Sequence, residues 1–144
     1  MIQKGKPTNY QELKKKANSK CDWRERLAAV EELGNWNCRE SKDILWRRMI
    51  SDKVFKVQET AFRKLQALGE DVRLPRKKKG NLIKNIQQTL SKVKSSLPPE
   101  HSYDDFKNKF KDSYPEHFDT YEGDKGSRFE KWLQTQWSNV PVKK

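Results

Sequence analysis

Four side chains in this 144-residue chain could ligate a soft metal: Cys21, Cys38, His101 and His117. Zinc sites draw on short pairs such as Cys-x-x-Cys or His-x-x-x-His, which let two donors from one turn or helix face reach one ion. None of these four forms such a pair, so no metal and no cofactor is expected. Cys21 and Cys38 would sit near opposite ends of one helix carrying Trp23 to Trp36. At 1.5 Å per residue its ends lie about 20 Å apart, beyond disulfide reach, and both thiols are expected to be reduced. Gly123-Asp124-Lys125-Gly126 lacks the Gly-Lys-Ser/Thr ending and the preceding strand of a phosphate-cradling loop, and reads as a turn. His117 beside Glu116 could exchange a proton, but its place in the first turn of a helix reads as surface. The pairs Asp104-Asp105 and Glu31-Glu32 read as solvated faces. No enzyme activity is expected.

The chemistry that the residues do favour is phosphate binding. The chain carries 32 Lys and Arg against 20 Asp and Glu, a formal charge of +12, and the excess is unevenly placed. Between Asp71 and Glu100 there is no acid, while Arg73, Arg76, Lys77, Lys78, Lys79, Lys84, Lys92 and Lys94 add eight positive charges. Long cations in a row neutralise backbone phosphates without reading bases, so these eight are the predicted nucleic-acid-binding residues. Arg76 to Gly80 reads as an exposed connector into a helix with Leu82, Ile83, Ile86, Leu90 and Val93 on its buried stripe. Lys84 and Lys92, with Gln88 between them, are expected on its opposite face. That helix lacks the Trp or Phe that anchors interfacial helices, which argues against a membrane surface. A second basic cluster, Lys14-Lys15-Lys16 with Lys20, lies on the first predicted helix.

The elements that must position these residues read as all-α. Thr8 with Gln11, Asp22 with Glu25, Ser102 with Asp105, Ser113 with Glu116 and Ser127 with Glu130 each place a capping residue three before an acid or amide. Asp52 can cap a helix opening at Lys53, Gly69 can end it, and Ser41 can open a short helix carrying Ile44, Leu45, Met49 and Ile50. No run of alternating β-branched and polar residues predicts a strand. Pro98-Pro99 cannot continue a helix, and the domain boundary is expected there. The division is then a helical repeat-like domain at 1–97, ending in the basic helix, and a small helical domain at 98–144. About 45 residues are too few for a secure core, so the second part is expected to pack on the first or to fold only marginally alone.

Beyond the prolines stand nine of the fifteen aromatic residues, and from Tyr103 to Tyr121 they recur at intervals of 3, 4, 4, 4 and 3. Rings at helical spacing face inward, which predicts a small core built from large side chains, with Trp137 the ring expected to stay exposed. No stretch approaches the roughly 20 apolar residues of a membrane span. Residues 1–7 lack the apolar run of a secretory signal, which makes the cytoplasm the expected location.

One pattern occurs twice. Val54, Val57, Ala61, Leu65 and Leu68 recur at 3, 4, 4 and 3, and 32 residues upstream Trp23, Ala29, Val30, Leu33 and Trp36 stand opposite Phe55, Ala61, Phe62, Leu65 and Leu68. Val57, Gln58, Ala61, Leu65 and Leu68 resemble the Val-Arg-x-x-Ala-x-x-x-Leu-x-x-Leu pattern of HEAT-type repeats, with Gln in the Arg position. The upstream copy offers Glu25, Arg26, Ala29, Leu33 and Trp36. The resemblance covers residues 22–71, about two repeats, and implies stacked helix pairs that display an extended surface, hence binding rather than catalysis. HEAT-like DNA glycosylases add a catalytic Asp to such a stack, but no motif carries that role onto Asp22, Asp43 or Asp52. The expectation is a non-catalytic binding module whose ligand is DNA or RNA backbone. The alternative is a protein-interaction adaptor gripping its partner in a HEAT-like groove.

Overall fold

The computed structural model describes residues 2–77 and 82–142, and the chain is mostly helical. It divides into two units, 1–78 and 79–144, each with its own hydrophobic core.

In the first unit, β1 (Gln3–Lys4) precedes α1 (Tyr10–Ala17), α2 (Trp23–Leu33), β2 (Trp36–Asn37), α3 (Arg39–Ser51) and α4 (Phe55–Ala67). The two strands form a two-residue parallel ladder, Gln3 opposite Trp36 and Lys4 opposite Asn37, which corrects the expectation of no strand. Two residues are too few for alternation to register in sequence. The ladder also takes Trp36 out of the helix in which the upstream copy placed it. Asp22 caps α2 as expected, its carboxylate accepting the Glu25 amide at 3.1 Å.

Helix α2 packs against α1 and α4, and α3 packs chiefly against α4. The two helices of the sequence echo, α2 and α4, therefore touch directly. Ala29 and Ala61 are both buried in the shared core. At the end of α2 the approach is so close that a Cβ on Gly34 would stand 2.4 Å from the Lys64 side chain. The core is mostly aliphatic, built on Val30, Leu33, Leu45, Met49, Val54, Val57 and Leu65, with Trp23 buried among them.

Asp52 does not open α4 by capping it at Lys53. The helix begins two residues later, after Val54, and the Asp52 carboxylate is buried instead against Arg26 of α2. Arg26 Nε donates to Oδ2 at 2.8 Å and a second guanidinium nitrogen to Oδ1 at 3.3 Å, while the Val54 amide donates to Oδ1 at 2.9 Å. Arg48 of α3 adds a third cationic contact at 3.3 Å. Four donors satisfy this carboxylate, as a buried charge requires.

In the second unit, α5 (Ile86–Ser95), α6 (Tyr103–Ser113), α7 (Pro115–Lys125) and α8 (Phe129–Asn139) surround a core of rings, with a single 3-10 turn at Gly126–Arg128 joining the last two. Phe106, Phe110, Phe118, Tyr121 and Phe129 are buried. Ile86, Leu90 and Val93 of α5 fill the same core. The boundary expected at 97/98 therefore falls inside a unit, and the basic helix belongs with the aromatic helices rather than with the first unit. Pro98-Pro99 makes only the bend between α5 and α6. The second unit is also larger than 98–144 and has a core of its own, because α5 supplies the aliphatic residues that the aromatic segment lacks.

Ser102 and Asp105 form a reciprocal capping box on α6, each bond 3.1 Å. Trp137 is not the exposed ring expected. It packs beside Tyr103 and Phe106, and its indole N–H donates to His101 Nε2 at 2.9 Å. His101 Nδ1 lies 2.7 Å from the Pro98 carbonyl. With Nε2 accepting, Nδ1 must carry the proton, which fixes one neutral tautomer.

Candidate nucleic-acid interface

The eight predicted cations are distributed over both units. Arg73, Arg76 and Lys77 belong to the first unit and Lys84, Lys92 and Lys94 to the second, while Lys78 and Lys79 lie outside the described residues.

On the first unit the cations sit on a pinned strap. Helix α4 ends in a left-handed Gly69 (φ +89°), with the Gly69 amide bonded to the Gln66 carbonyl and the Glu70 amide to that of Leu65. Glycine suits this position because a Cβ disfavours positive φ, and the paired bonds satisfy the last carbonyls of the helix. Glu70 then pairs with Lys42 of α3 at 2.9 Å. From there residues 71–77 run without regular structure, Val72 and Leu74 packing against the aliphatic core while Arg73 and Arg76 are exposed. Arg73 stands outward between the two packed residues, and Arg76 and Lys77 are exposed beyond the half-buried Pro75. Lys77 Nζ stands 5.8 Å from the centre of the Phe55 ring, at the opposite end of α4 from Gly69. With Gly69 just past the end of α4 and Lys77 beside Phe55 at its start, the strap carries the chain back to the opposite end of that helix. Arg73, Arg76 and Lys77 are thereby displayed on a segment that Val72 and Leu74 anchor to the core.

On the second unit the arrangement differs from expectation. Lys84 lies in the turn before α5 rather than on it, because the helix starts at Ile86 after Asn85 in the left-handed conformation (φ 64°). Lys84 and Lys92 are exposed. Lys94 is engaged elsewhere. Its ammonium donates to the carbonyls of Trp137 at 2.6 Å and Val140 at 3.3 Å, at the end of α8. Helix α8 has no basic residue in its own last turn, so Lys94 supplies both the missing hydrogen bonds and the positive charge that the helix end favours. Lys94 is thus a capping group from a neighbouring helix.

The first unit holds 20 basic and 11 acidic residues, net +9, and the second 12 and 9, net +3. Of the second cluster, Lys14, Lys15 and Lys16 lie on α1, the first two exposed and Lys16 paired with Glu12 at 3.3 Å, while Lys20 lies beyond the end of that helix rather than on it. Arg26, by contrast, is basic but wholly structural.

A polar cluster that sequence reasoning missed joins α6 to α8. Tyr103 donates its hydroxyl to Glu130 at 2.8 Å and Lys107 pairs with the same carboxylate. The Lys107 hydrogen bond holds the Glu130 carboxyl below the usual glutamate range against a smaller opposing effect of burial, and the Tyr103 bond adds to it. Burial, then the Glu130 bond and charge, raise the Tyr103 phenol. Partners 23 and 27 residues apart leave no local signal in the sequence.

Among the described residues no group of three or more His, Cys, Asp or Glu could hold a metal ion. Among them, too, no helix is long and apolar enough to cross a membrane. Comparison with protein-family models, with curated proteins and with solved structures finds no match for this chain.

Proposed function

We propose that this protein is a non-catalytic binding module that contacts the phosphate backbone of DNA or RNA. The observation that carries the reading is the strap: Arg73, Arg76 and Lys77 are exposed on a segment whose Val72 and Leu74 pack on the core and whose Lys77 reaches Phe55 of α4, at the start of a stretch from 72 to 99 without an acid. Pinning matters because a cation already held in place loses less side-chain and backbone freedom on binding. Contacts of this kind fix position and carry no base preference. Lys78, Lys79, Lys84 and Lys92 belong to the same acid-free stretch of sequence.

HEAT-like stacking of about two repeats in the first unit is part of the same proposal. It is supported by the burial of Ala29 and Ala61 and by a shared habit of the Arg position. Arg26 donates to the Ser19 carbonyl at 2.9 Å and Gln58, its counterpart, to the Met49 carbonyl at 2.9 Å, so each ties its helix to the segment before it.

The reading is tested by anisotropy titrations of labelled single-stranded and double-stranded DNA and RNA across salt concentrations. Expected are similar affinities for unrelated sequences and a logarithmic salt slope of about −0.9 per phosphate contact on duplex, about −0.7 on single strands. Absence of binding to all four at low salt would remove nucleic acid and leave the protein-adaptor reading.

A further inference from the structure

Helix α3 carries two large apolar side chains where a helix packed on one side should carry none. Its inward positions, Ser41, Ile44, Leu45 and Met49, are buried. Trp46 and Ile50 lie on the opposite face, one turn apart, and are 49% and 46% exposed. The other large exposed apolar residues among those described, Ile2 and Val142, stand outside the helices. Scattered single residues of this kind need no explanation, but a Trp and an Ile stacked on one outward stripe form a patch.

The polar neighbours decide what the patch fits. Arg39, Asp43, Arg47 and, just past the helix, Lys53 are exposed around it, with Glu40 half-buried on the Arg47 side, three cations to two acids. From Arg39 to Ile50 the stripe extends about 16 Å, three helical turns, which is the footprint of one short helix laid alongside. A second copy of this chain would bring the same arginines and a net charge of +12 against them, so the electrostatics favour an acidic partner instead.

We propose that the outward face of α3 docks an acidic amphipathic helix of a partner protein, whose apolar residues seat on Trp46 and Ile50 and whose carboxylates meet Arg39, Arg47 and Lys53. Trp and Arg are the side chains that most often dominate such contacts. The site is separate from the strap at residues 71–77 and does not depend on nucleic-acid binding.

The test uses the full chain, isotopically labelled, and two synthetic peptides. Both repeat Leu at helical spacing; one carries Glu on its flanks and the other Lys. The Glu peptide is expected to perturb the amides of residues 39–53 and the Trp46 indole, and to bind at least about tenfold more tightly than the Lys peptide. Trp46→Ala should weaken it at least about tenfold without lowering the melting temperature, while Arg73→Ala should leave it unchanged. Equal affinity for both peptides, perturbations confined to other helices, or full binding by Trp46→Ala would overturn the proposal. So would a wild-type dimer that Trp46→Ala dissociates, which would assign the face to self-association, or an oligonucleotide that shifts Trp46 where neither peptide does.

Discussion

The two units of this chain solve the problem of a thin core in opposite ways. The first, 1–78, fills its interior with aliphatic side chains and small alanines that let α2 and α4 touch, and it buries a charged pair, Arg26 with Asp52, where three helices converge. The second, 79–144, uses large rings, with Phe110 on Phe118, Phe118 on Phe129 and Tyr121 stacked on Trp132 at 4.6 Å. Its polar ties, Tyr103 and Lys107 with Glu130 and Lys94 with the end of α8, lie at the rim. Rings let few residues remove much surface from water, which suits the shorter unit. The same division holds for charge. The first unit keeps a net +9 and offers a pinned basic strap, whereas the second, at net +3, turns one of its predicted phosphate ligands to capping.

The boundary between these solutions can be broken most severely by truncation. A fragment starting at 79 retains Ile86, Leu90 and Val93 and should melt cooperatively by circular dichroism. One starting at Glu100 loses all three and should not. Equal cooperativity in both would show that the rings suffice without α5.

Next in size is the buried pair. Asp52→Ala leaves Arg26 buried without its carboxylate and should cost about 3–5 kcal/mol in denaturant unfolding of the full chain. Replacing both partners, Arg26→Met with Asp52→Leu, should recover most of that loss, because the penalty is the orphaned charge rather than the missing attraction. A double variant as unstable as the single one would mean that the hydrogen bonds to Ser19 and Val54 are what matters.

At the start of α6, Ser102→Ala should cost about 1 kcal/mol. Asn9 and Tyr114 stand at the starts of α1 and α7 with no side-chain cap bond, so Thr8→Ala and Ser113→Ala should cost a few tenths at most.

The smallest effects are those of pH. Glu130 is held below the usual glutamate range, so its contribution is complete above that range and is lost as pH falls through the lowered value. The Tyr103 phenol is raised, so its contribution is complete below about pH 10 and is lost as pH rises further. Glu130→Gln should flatten the acid limb of the stability profile and Tyr103→Phe the alkaline limb. Glu130 is half exposed, so salt should weaken the acid effect.

Local signals were the legible part of this fold. The spacing of Val57, Ala61 and Leu65 and of Phe106 and Phe110 marked the buried faces, Asp22 and Ser102 marked two helix starts, and Gly69 marked an end. Three of the remaining capping signatures failed for identifiable reasons. Pro115 occupies the first position of α7, which assigns the cap to Tyr114 and leaves Ser113 one residue outside. Ser127 is drawn into the 3-10 turn that precedes α8. Asp52 had a better partner 26 residues away than the helix it was expected to open. For the site, charge and exposure could be read from sequence at Arg73, Arg76, Lys77, Lys84 and Lys92. The capping role of Lys94 could not, since Trp137 is 43 residues away. Nor did the sequence mark Trp46 as an outward ring on an otherwise regular helix.

A defined phosphate-binding face on the strap differs from a merely basic protein in where the salt dependence resides. That difference is tested most directly by comparing salt slopes of oligonucleotide binding for two triple variants with equal charge loss, one at Arg73, Arg76 and Lys77 and one at Lys14, Lys15 and Lys16. The strap variant should bind all sequences more weakly and lose about 0.7–0.9 of slope per removed contact, at about 0.15 M salt as well as below it, where the screening length is near 8 Å. The α1 variant should retain most of its slope. Equal losses from both would contradict the account, because net charge alone would then explain the binding.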